Sequence, residues 1–402
     1  METIAAAPHR DHRPAQAAGR SSWVRAAIAA LVPLAAGLEL AACSPLKESA
    51  PEPTPVIEVR PEAPTQSLVF VTLDGVRRRE IFLGVDPMLA ARSKLPRAEV
   101  KSARDLLPNM YRLFFDEGTV LGDPRKEGGV AASGPHFVSL PSYLEMMMGV
   151  SSGCWNNDCI PTMRVTIAEE LAASNPLAPS AVFASWERIA RAAAADKATG
   201  SLTISAGREK GSGIAPWPGH GAYRPDRVTG PLALNYLRDN RPRFLWISLG
   251  DTDELAHHND YRGYLAALRS ADELLGSIAA ELDRMGERGA RTALIVTTDH
   301  DRSANFTDHG DAGSGSVWLL ARGPSIAPAG SIGTSTQRYL RDIAPTLRAL
   351  FDLPARPCEG CGRPIDELLP REGVEPPTFA AESSSVRTAL APSSEGEPSE
   401  GL

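Results

Sequence analysis

Three short apolar runs in this chain each stop at or near an aspartate, and that repetition restricts the fold more than any other feature. Leu68-Val-Phe-Val-Thr-Leu73 runs into Asp74-Gly75. Phe244-Leu-Trp-Ile-Ser-Leu249 runs into Gly250-Asp-Thr-Asp253, with His257 one helical turn further on. Ala293-Leu-Ile-Val-Thr-Thr298 runs into Asp299-His300, and His309 follows in the next loop. Continuous apolar and β-branched runs of this length read as strands buried on both faces, as in a parallel sheet. Ligands of open α/β sheets bind just outside the carboxyl ends of the strands. An acidic residue after one strand is an ordinary turn or cap residue. Three such strands, two with histidine nearby, gather oxygen and imidazole donors at one end of one sheet. The chain has eight histidines, so three at these positions are a concentration.

The segments between fit the same sheet. Residues 261–285 read as a long amphipathic helix, with Leu265, Leu268, Leu275, Ile278 and Leu282 at three- and four-residue steps or their sums. It joins the second Asp-bearing strand to the third, the strand–helix–strand unit of a parallel sheet. Further helices are expected over 75–82, 108–115, 166–173 and 342–351, the last with Pro345 in its first turn. Further strands are expected over 180–186 and 316–321. Residues 122–134 and 197–230 read as loop, the second placed to cover the site, with His220 a surface residue. The fold class is therefore α/β. A three-layer α/β/α sandwich is expected around a central, mostly parallel sheet, with a smaller cap from the region between Ser139 and Phe244.

The ends of the chain read differently. Arg10, Arg13, Arg20 and Arg25 precede a mostly apolar stretch over 26–40, which Pro33 and Glu39 make too short and interrupted for a spanning helix. It ends in Leu40-Ala-Ala-Cys43-Ser44. A positive region, an apolar region and small residues make a secretory signal. The Leu-Ala-Ala-Cys ending resembles a bacterial lipobox, which implies cleavage before Cys43, lipid on its thiol and a membrane-anchored lipoprotein facing the periplasm or cell exterior. The expected organisation is a signal over 1–43, a Pro/Glu-rich tether over 44–66, a catalytic domain over 67–369 and a disordered tail over 370–402. Cys154, Cys159, Cys358 and Cys361 remain, an even number that suits two disulfides in an exported protein. Local pairing, Cys154–Cys159 and Cys358–Cys361, is the simplest arrangement; the wide spacing makes a four-cysteine zinc site weak. A net charge of −7 gives nucleic-acid binding no electrostatic support.

One more stretch carries chemistry: His136-Phe-Val-Ser-Leu-Pro-Ser-Tyr-Leu-Glu-Met-Met-Met-Gly149. Ser139 precedes a Leu-Pro step, and 143–148 read as the opening of a helix. That places a hydroxyl near a helix N-terminus, where N–H groups and the dipole favour an alkoxide or a phosphate. Ser142 is the expected N-cap. The candidates are thus Asp74, Ser139, Asp253, His257, Asp299, His300 and His309. Oxygen and imidazole donors without thiolate suit Zn²⁺ or another first-row ion such as Mn²⁺ better than Ca²⁺ or Mg²⁺. Their number suits two divalent ions, and a metal-bound serine ionises readily into a nucleophile.

The order of these motifs resembles the alkaline phosphatase superfamily, especially its nucleotide pyrophosphatase/phosphodiesterase branch. The matching pieces are Leu73-Asp-Gly75, Ser139-Leu-Pro-Ser-Tyr143, Asp253-Glu-Leu-Ala-His257, Thr298-Asp-His300 and Asp308-His-Gly310. Each is weak alone; five in the family's order are not. The resemblance implies that one metal takes Asp253, His257 and His309, and the other Asp74, Asp299, His300 and the nucleophile Ser139. It implies that Asn157, or else Asn156, binds a phosphoryl oxygen. His136 and His258 are expected to play no direct part. The implied function is a phosphoric ester hydrolase, phosphatase or phosphodiesterase, working through a phosphoserine on small-molecule, lipid or nucleotide esters.

Two departures stand out. Asp299-His300 is followed by Asp301 where the family usually has Gly, adding a charge expected to tune metal choice. The nucleophile is Ser where the family often has Thr. Sulfatases share the fold and need C/S-x-P-x-R for conversion to formylglycine. Ser139-Leu-Pro-Ser begins that pattern, but Tyr143 replaces the Arg, and Cys159-Ile-Pro-Thr-Met163 has Arg164 one place late. A sulfatase-like hydrolase is therefore the alternative. A cofactor-independent phosphoglycerate mutase is disfavoured, since no large insertion follows the serine. A non-catalytic binding lipoprotein would be expected to have lost ligands, and none is missing.

Overall fold

Among the described residues eleven strands form, in chain order: β1 Ser67–Leu73, β2 Thr119–Leu121, β3 Gly129–Ala131, β4 Ser180–Ala184, β5 Leu202–Ala206, β6 Phe244–Leu249, β7 Thr292–Thr297, β8 Ser316–Val317, β9 Leu319–Arg322, β10 Gly330–Ser331 and β11 Gln337–Tyr339. The structure is a computed structural model that describes residues 65–160, 164–195, 202–208 and 222–369. The signal segment with Cys43, nearly all of the tether, His220 and the tail over 370–402 lie outside the described residues.

Eight strands make one sheet in the order β10-β2-β9-β7-β1-β6-β4-β5. From β7 to β5 all neighbours are parallel. β9 runs antiparallel to β7 and to β2. The three Asp-bearing strands lie side by side, with β1 in the middle. Leu73 pairs with Leu249, and Thr72 with Thr297, so the three strands end level. That register delivers Asp74, the Gly250 loop and Asp299 to one edge of the sheet.

Every residue of β1, β6 and β7 is buried, which accounts for their continuous apolar sequence. Alternate side chains feed two separate cores. Val69, Val71, Leu245, Ile247, Leu294 and Val296 pack on one face with the Tyr261–Arg284 helix. Leu68, Phe70, Phe244, Trp246, Ala293 and Ile295 pack on the other with the helices Ser139–Met148, Ile167–Ser174 and Ile343–Leu350. The result is the expected α/β/α layering. Thr166 caps the Ile167–Ser174 helix in a capping box with Glu169.

Several local expectations are corrected. Residues 197–230 are not all loop: they supply β5 and the start of the Asp226–Asn240 helix. The region between Ser139 and Phe244 thus extends the main sheet through β4 and β5, and the smaller unit is a three-stranded sheet, β11-β3-β8. β3 forms inside the stretch read as a Gly-rich loop. The run over 316–321 divides at Trp318 into β8 of the small sheet and β9 of the large one, where Thr297 Oγ1 donates to the Trp318 carbonyl. The helix of the Ser139 motif starts at Ser139 itself, with Val138 at its N-cap, so Ser142 is a buried residue inside the helix and not a cap. The pairs Cys154–Cys159 and Cys358–Cys361 are both bonded. Among the described residues no helix is long and apolar enough to cross a membrane.

Candidate active site

Ser139 is the first residue of a ten-residue helix, Ser139–Met148, entered from the extended Val138. Val138 offers no side chain to cap it. Asn157 does so from outside: its Oδ1 accepts the Leu140 N–H at 2.9 Å. Asn157 is held in the Cys154–Cys159 loop, where Arg188 Nη1 donates to its carbonyl at 2.6 Å and Arg188 Nη2 pairs with Asp158 at 2.8 Å. The Asn expected to meet a phosphoryl oxygen therefore stands beside Ser139 at the positive end of the helix. Ser139 is buried, and its Oγ lies 3.3 Å from both Asp74 Oδ1 and His300 Nε2. One turn further along the same helix face, Tyr143 donates from its hydroxyl to Asp74 Oδ2 at 3.0 Å. Sequence reasoning missed that role; the four-residue spacing from Ser139 was the available signal.

Asp74, Asp299 and His300 each place one donor atom within 4.8 Å of the others. Gly75 N donates to Asp299 Oδ1 at 3.0 Å. Asp299 Oδ2 is buried with no hydrogen-bond partner, and it faces His300 Nε2 at 3.2 Å. His300 Nδ1 donates to the Asp301 carbonyl at 2.9 Å, so its Nε2 carries a lone pair. A buried carboxylate oxygen and an imidazole lone pair facing each other want a cation between them. This donor set fits a divalent ion. Burial pushes Asp74 well above the usual carboxylate range, reinforced by the charges of Asp299 and Asp253. Burial also raises Asp299 to about 6, against the Gly75 N–H, and lowers His300 to about 4.

Asp253, His257 and His309 adjoin this group. His309 Nδ1 donates to the Phe137 carbonyl at 2.8 Å, and its ring stacks on His300 at 3.9 Å. His257 Nε2 lies 3.1 Å from Asp253 Oδ2 and 3.2 Å from His309 Nε2. All seven expected residues thus converge, although they group differently: His300, and not His257, stands with Asp253 and His309 in the second tight cluster.

Arg302 also escaped the sequence reading. Its side chain is fully buried and Nη1 pairs with Asp253 Oδ1. Nη2 donates to His257 Nδ1 at 3.3 Å and to the Thr307 carbonyl at 2.6 Å; Nε donates to the Phe306 carbonyl at 2.5 Å. Burial opposes the Asp253 charge, yet Arg302, with His257 and His300, holds that carboxyl well below its usual range. Asp301 does not face the metal donors as expected. Its carboxylate accepts from Arg78 N and Arg302 N, binding the loop after β7 to the start of the Arg78–Phe82 helix. His136 and His258 are exposed.

Gly75 is needed where it stands. It has φ +61°, and a Cβ there would meet Asp253 Oδ1 at 2.5 Å and Arg302 Nη1 at 2.8 Å.

No family profile matches the chain, and no curated protein matches it by sequence. Solved structures do share its fold. A 2-O GAG sulfatase is 13% identical with a TM-score of 0.51, over 76% of this chain and 74% of that one. A putative sulfatase from Bacteroides thetaiotaomicron is 10% identical with a TM-score of 0.51, over 75% and 74%. The phosphonate monoester hydrolase of Agrobacterium radiobacter is 16% identical with a TM-score of 0.50, over 78% and 79%. The fold is alkaline phosphatase-like α/β, in line with the motif order. Sulfatase and phosphonate hydrolase both occur among these neighbours, so the likeness defines a fold and not a branch.

Proposed function

We propose that this chain is a metal-assisted ester hydrolase that acts on phosphoric esters through Ser139. The observation that carries the reading is the buried Ser139 Oγ at a helix N-terminus, 3.3 Å from Asp74 Oδ1 and from His300 Nε2. Ser139 attacks phosphorus, the ester oxygen leaves as the alcohol, and water then hydrolyses the phosphoserine. Asp74 Oδ1 accepts the serine hydroxyl hydrogen bond and orients Oγ. Tyr143 fixes that carboxylate from the other side. The helix N-terminus favours the serine oxyanion and the anionic ester. Asn157 Oδ1 accepts the Leu140 N–H at that terminus, and its amide Nδ2–H₂ would be the donor to a phosphoryl oxygen. Asp74, Asp299, His300 and Ser139 would hold the ion, Zn²⁺ first and Mn²⁺ second by their donor chemistry. When bound, it supplies positive charge that promotes serine ionisation and offsets the charge of the ester.

Sulfuric ester hydrolysis is the second reading. It is supported by the names of two of the three similar structures and by the Ser139-Leu-Pro beginning of the sulfatase pattern. Against it, position 143 holds a tyrosine committed to Asp74 where that pattern has Arg. The two disulfides and the lipobox support action outside the cytoplasm, on a lipid anchor at Cys43. A screen of purified protein against nitrophenyl phosphate, phosphodiester and sulfate esters with added metals tests the reading. The peptide mass at residue 139 accompanies it. Phosphoester turnover with unmodified serine is expected; sulfate turnover with formylglycine at 139 replaces the reading by the second one.

A further inference from the structure

Resting on the metal reading above, we infer that Arg302 is a built-in cation that occupies the place of a second ion. This chain then holds one divalent ion, at Asp74, Asp299 and His300. Arg302 donates at once to Asp253 Oδ1 and, 3.3 Å away, to His257 Nδ1. A guanidinium stays charged and cannot accept a hydrogen bond, so His257 Nδ1 is the acceptor and its proton sits on Nε2. That Nε2–H points at Asp253 Oδ2, 3.1 Å away, and at His309 Nε2, 3.2 Å away. Both oxygens of Asp253 and both nitrogens of His257 are therefore engaged within the protein, and the guanidinium already supplies positive charge at the place where a second ion would bind.

His300 and His309 behave in the opposite way. Each gives Nδ1–H to a backbone carbonyl and so carries a lone pair on Nε2, the usual arrangement of a metal-binding histidine. His257 lacks that support. Asp299 Oδ2 is the contrasting oxygen, buried and left over.

The guanidinium is not free to swing aside. The Phe306 and Thr307 carbonyls hold its Nε and Nη2, and the Phe306 ring is wedged edge-on against Tyr261 and Tyr264 at 5.2 and 5.3 Å. In the sequence the device is the Asp301-Arg302 pair that follows Asp299-His300. Asp301 pins the loop to Arg78, and Arg302 turns inward.

Metal stoichiometry tests this without relying on turnover. The full chain is saturated with Zn²⁺, passed over chelating resin and analysed for metal and protein. One retained ion per wild-type chain is expected, and one in Asp253→Asn. Arg302→Met, which empties the guanidinium position at similar length, should retain two. Two ions per wild-type chain, loss of the ion in Asp253→Asn, or a folded Arg302→Met chain still holding one, each overturns the inference. If Arg302→Met does not fold, the wild-type and Asp253→Asn counts decide. A wild-type chain that retains none overturns the metal reading itself, an outcome distinct from two.

Discussion

Ser139 Oγ lies 3.3 Å from Asp74 Oδ1, although 65 residues separate them. The contact arises because β1 ends where the Ser139–Met148 helix begins, at the carboxyl edge of the sheet. A strand end supplies the carboxylate, and a helix start supplies the hydroxyl.

Tyr143 holds the other oxygen of that carboxylate, so Tyr143→Phe tests whether Asp74 must be fixed. The ring volume is kept, and the hydroxyl's buried hydrogen bonds to Asp74 and Ser248 are lost. Stability should fall by about 1 kcal/mol in thermal or urea unfolding. kcat/KM should fall about 10- to 100-fold, as for other partners of metal-binding side chains. An unchanged kcat/KM would remove Tyr143 from the site.

Gly75→Ala should damage site and fold together. A Cβ at φ +61° costs about 1–2 kcal/mol, and here it also strikes Asp253 Oδ1. Unfolding by urea should show that loss. The rate should fall further than stability alone explains, because Asp253 and Arg302 are displaced.

How much of this was legible follows from burial. β1, β6 and β7 are buried on both faces, so their sequences are continuous and their ends are marked by Asp. The Tyr261–Arg284 helix shows its stripe because one face alone meets the sheet. β5 was missed because it is half-exposed and short, with polar Thr203 and Ser205 in it. The division at Trp318 depends on which sheet each half joins, and no local pattern records that. The seven metal-capable or nucleophilic residues were legible as motifs. Arg302 was not, because a charged residue after Asp-His-Asp reads as solvated loop. Its role comes from Asp253, 49 positions away in sequence. Ser142 looked like a cap because the helix start was read one turn late.

Glu80 gives a pH dependence away from the metal donors. It is buried against the hydroxyls of Tyr261 and Tyr264, and burial raises it from 4.5 to about 7 despite Arg77. The folded state thus holds a proton that the unfolded state releases. The stabilising contribution is full below about 4.5 and is lost as pH rises through about 7, on the order of 3 kcal/mol. Urea unfolding across that window should show Glu80→Gln to be less dependent on pH than the wild type. Parallel pH profiles would mean that Glu80 keeps its charge in the folded chain.

In the proposed reaction Ser139 forms the covalent intermediate. Ser139→Ala should lower phosphoester turnover by about 10³-fold or more with the fold intact. Ser142→Ala, inside the helix, should leave the rate within a few-fold of wild type. The most direct measurement is rapid acid quench of the wild type during turnover of a phosphoester, followed by mass spectrometry of the peptide that carries residue 139. Phosphate on Ser139, absent without substrate, is the expected result. Sustained phosphoester turnover with no phosphate on Ser139, or with phosphate on another residue, would contradict it.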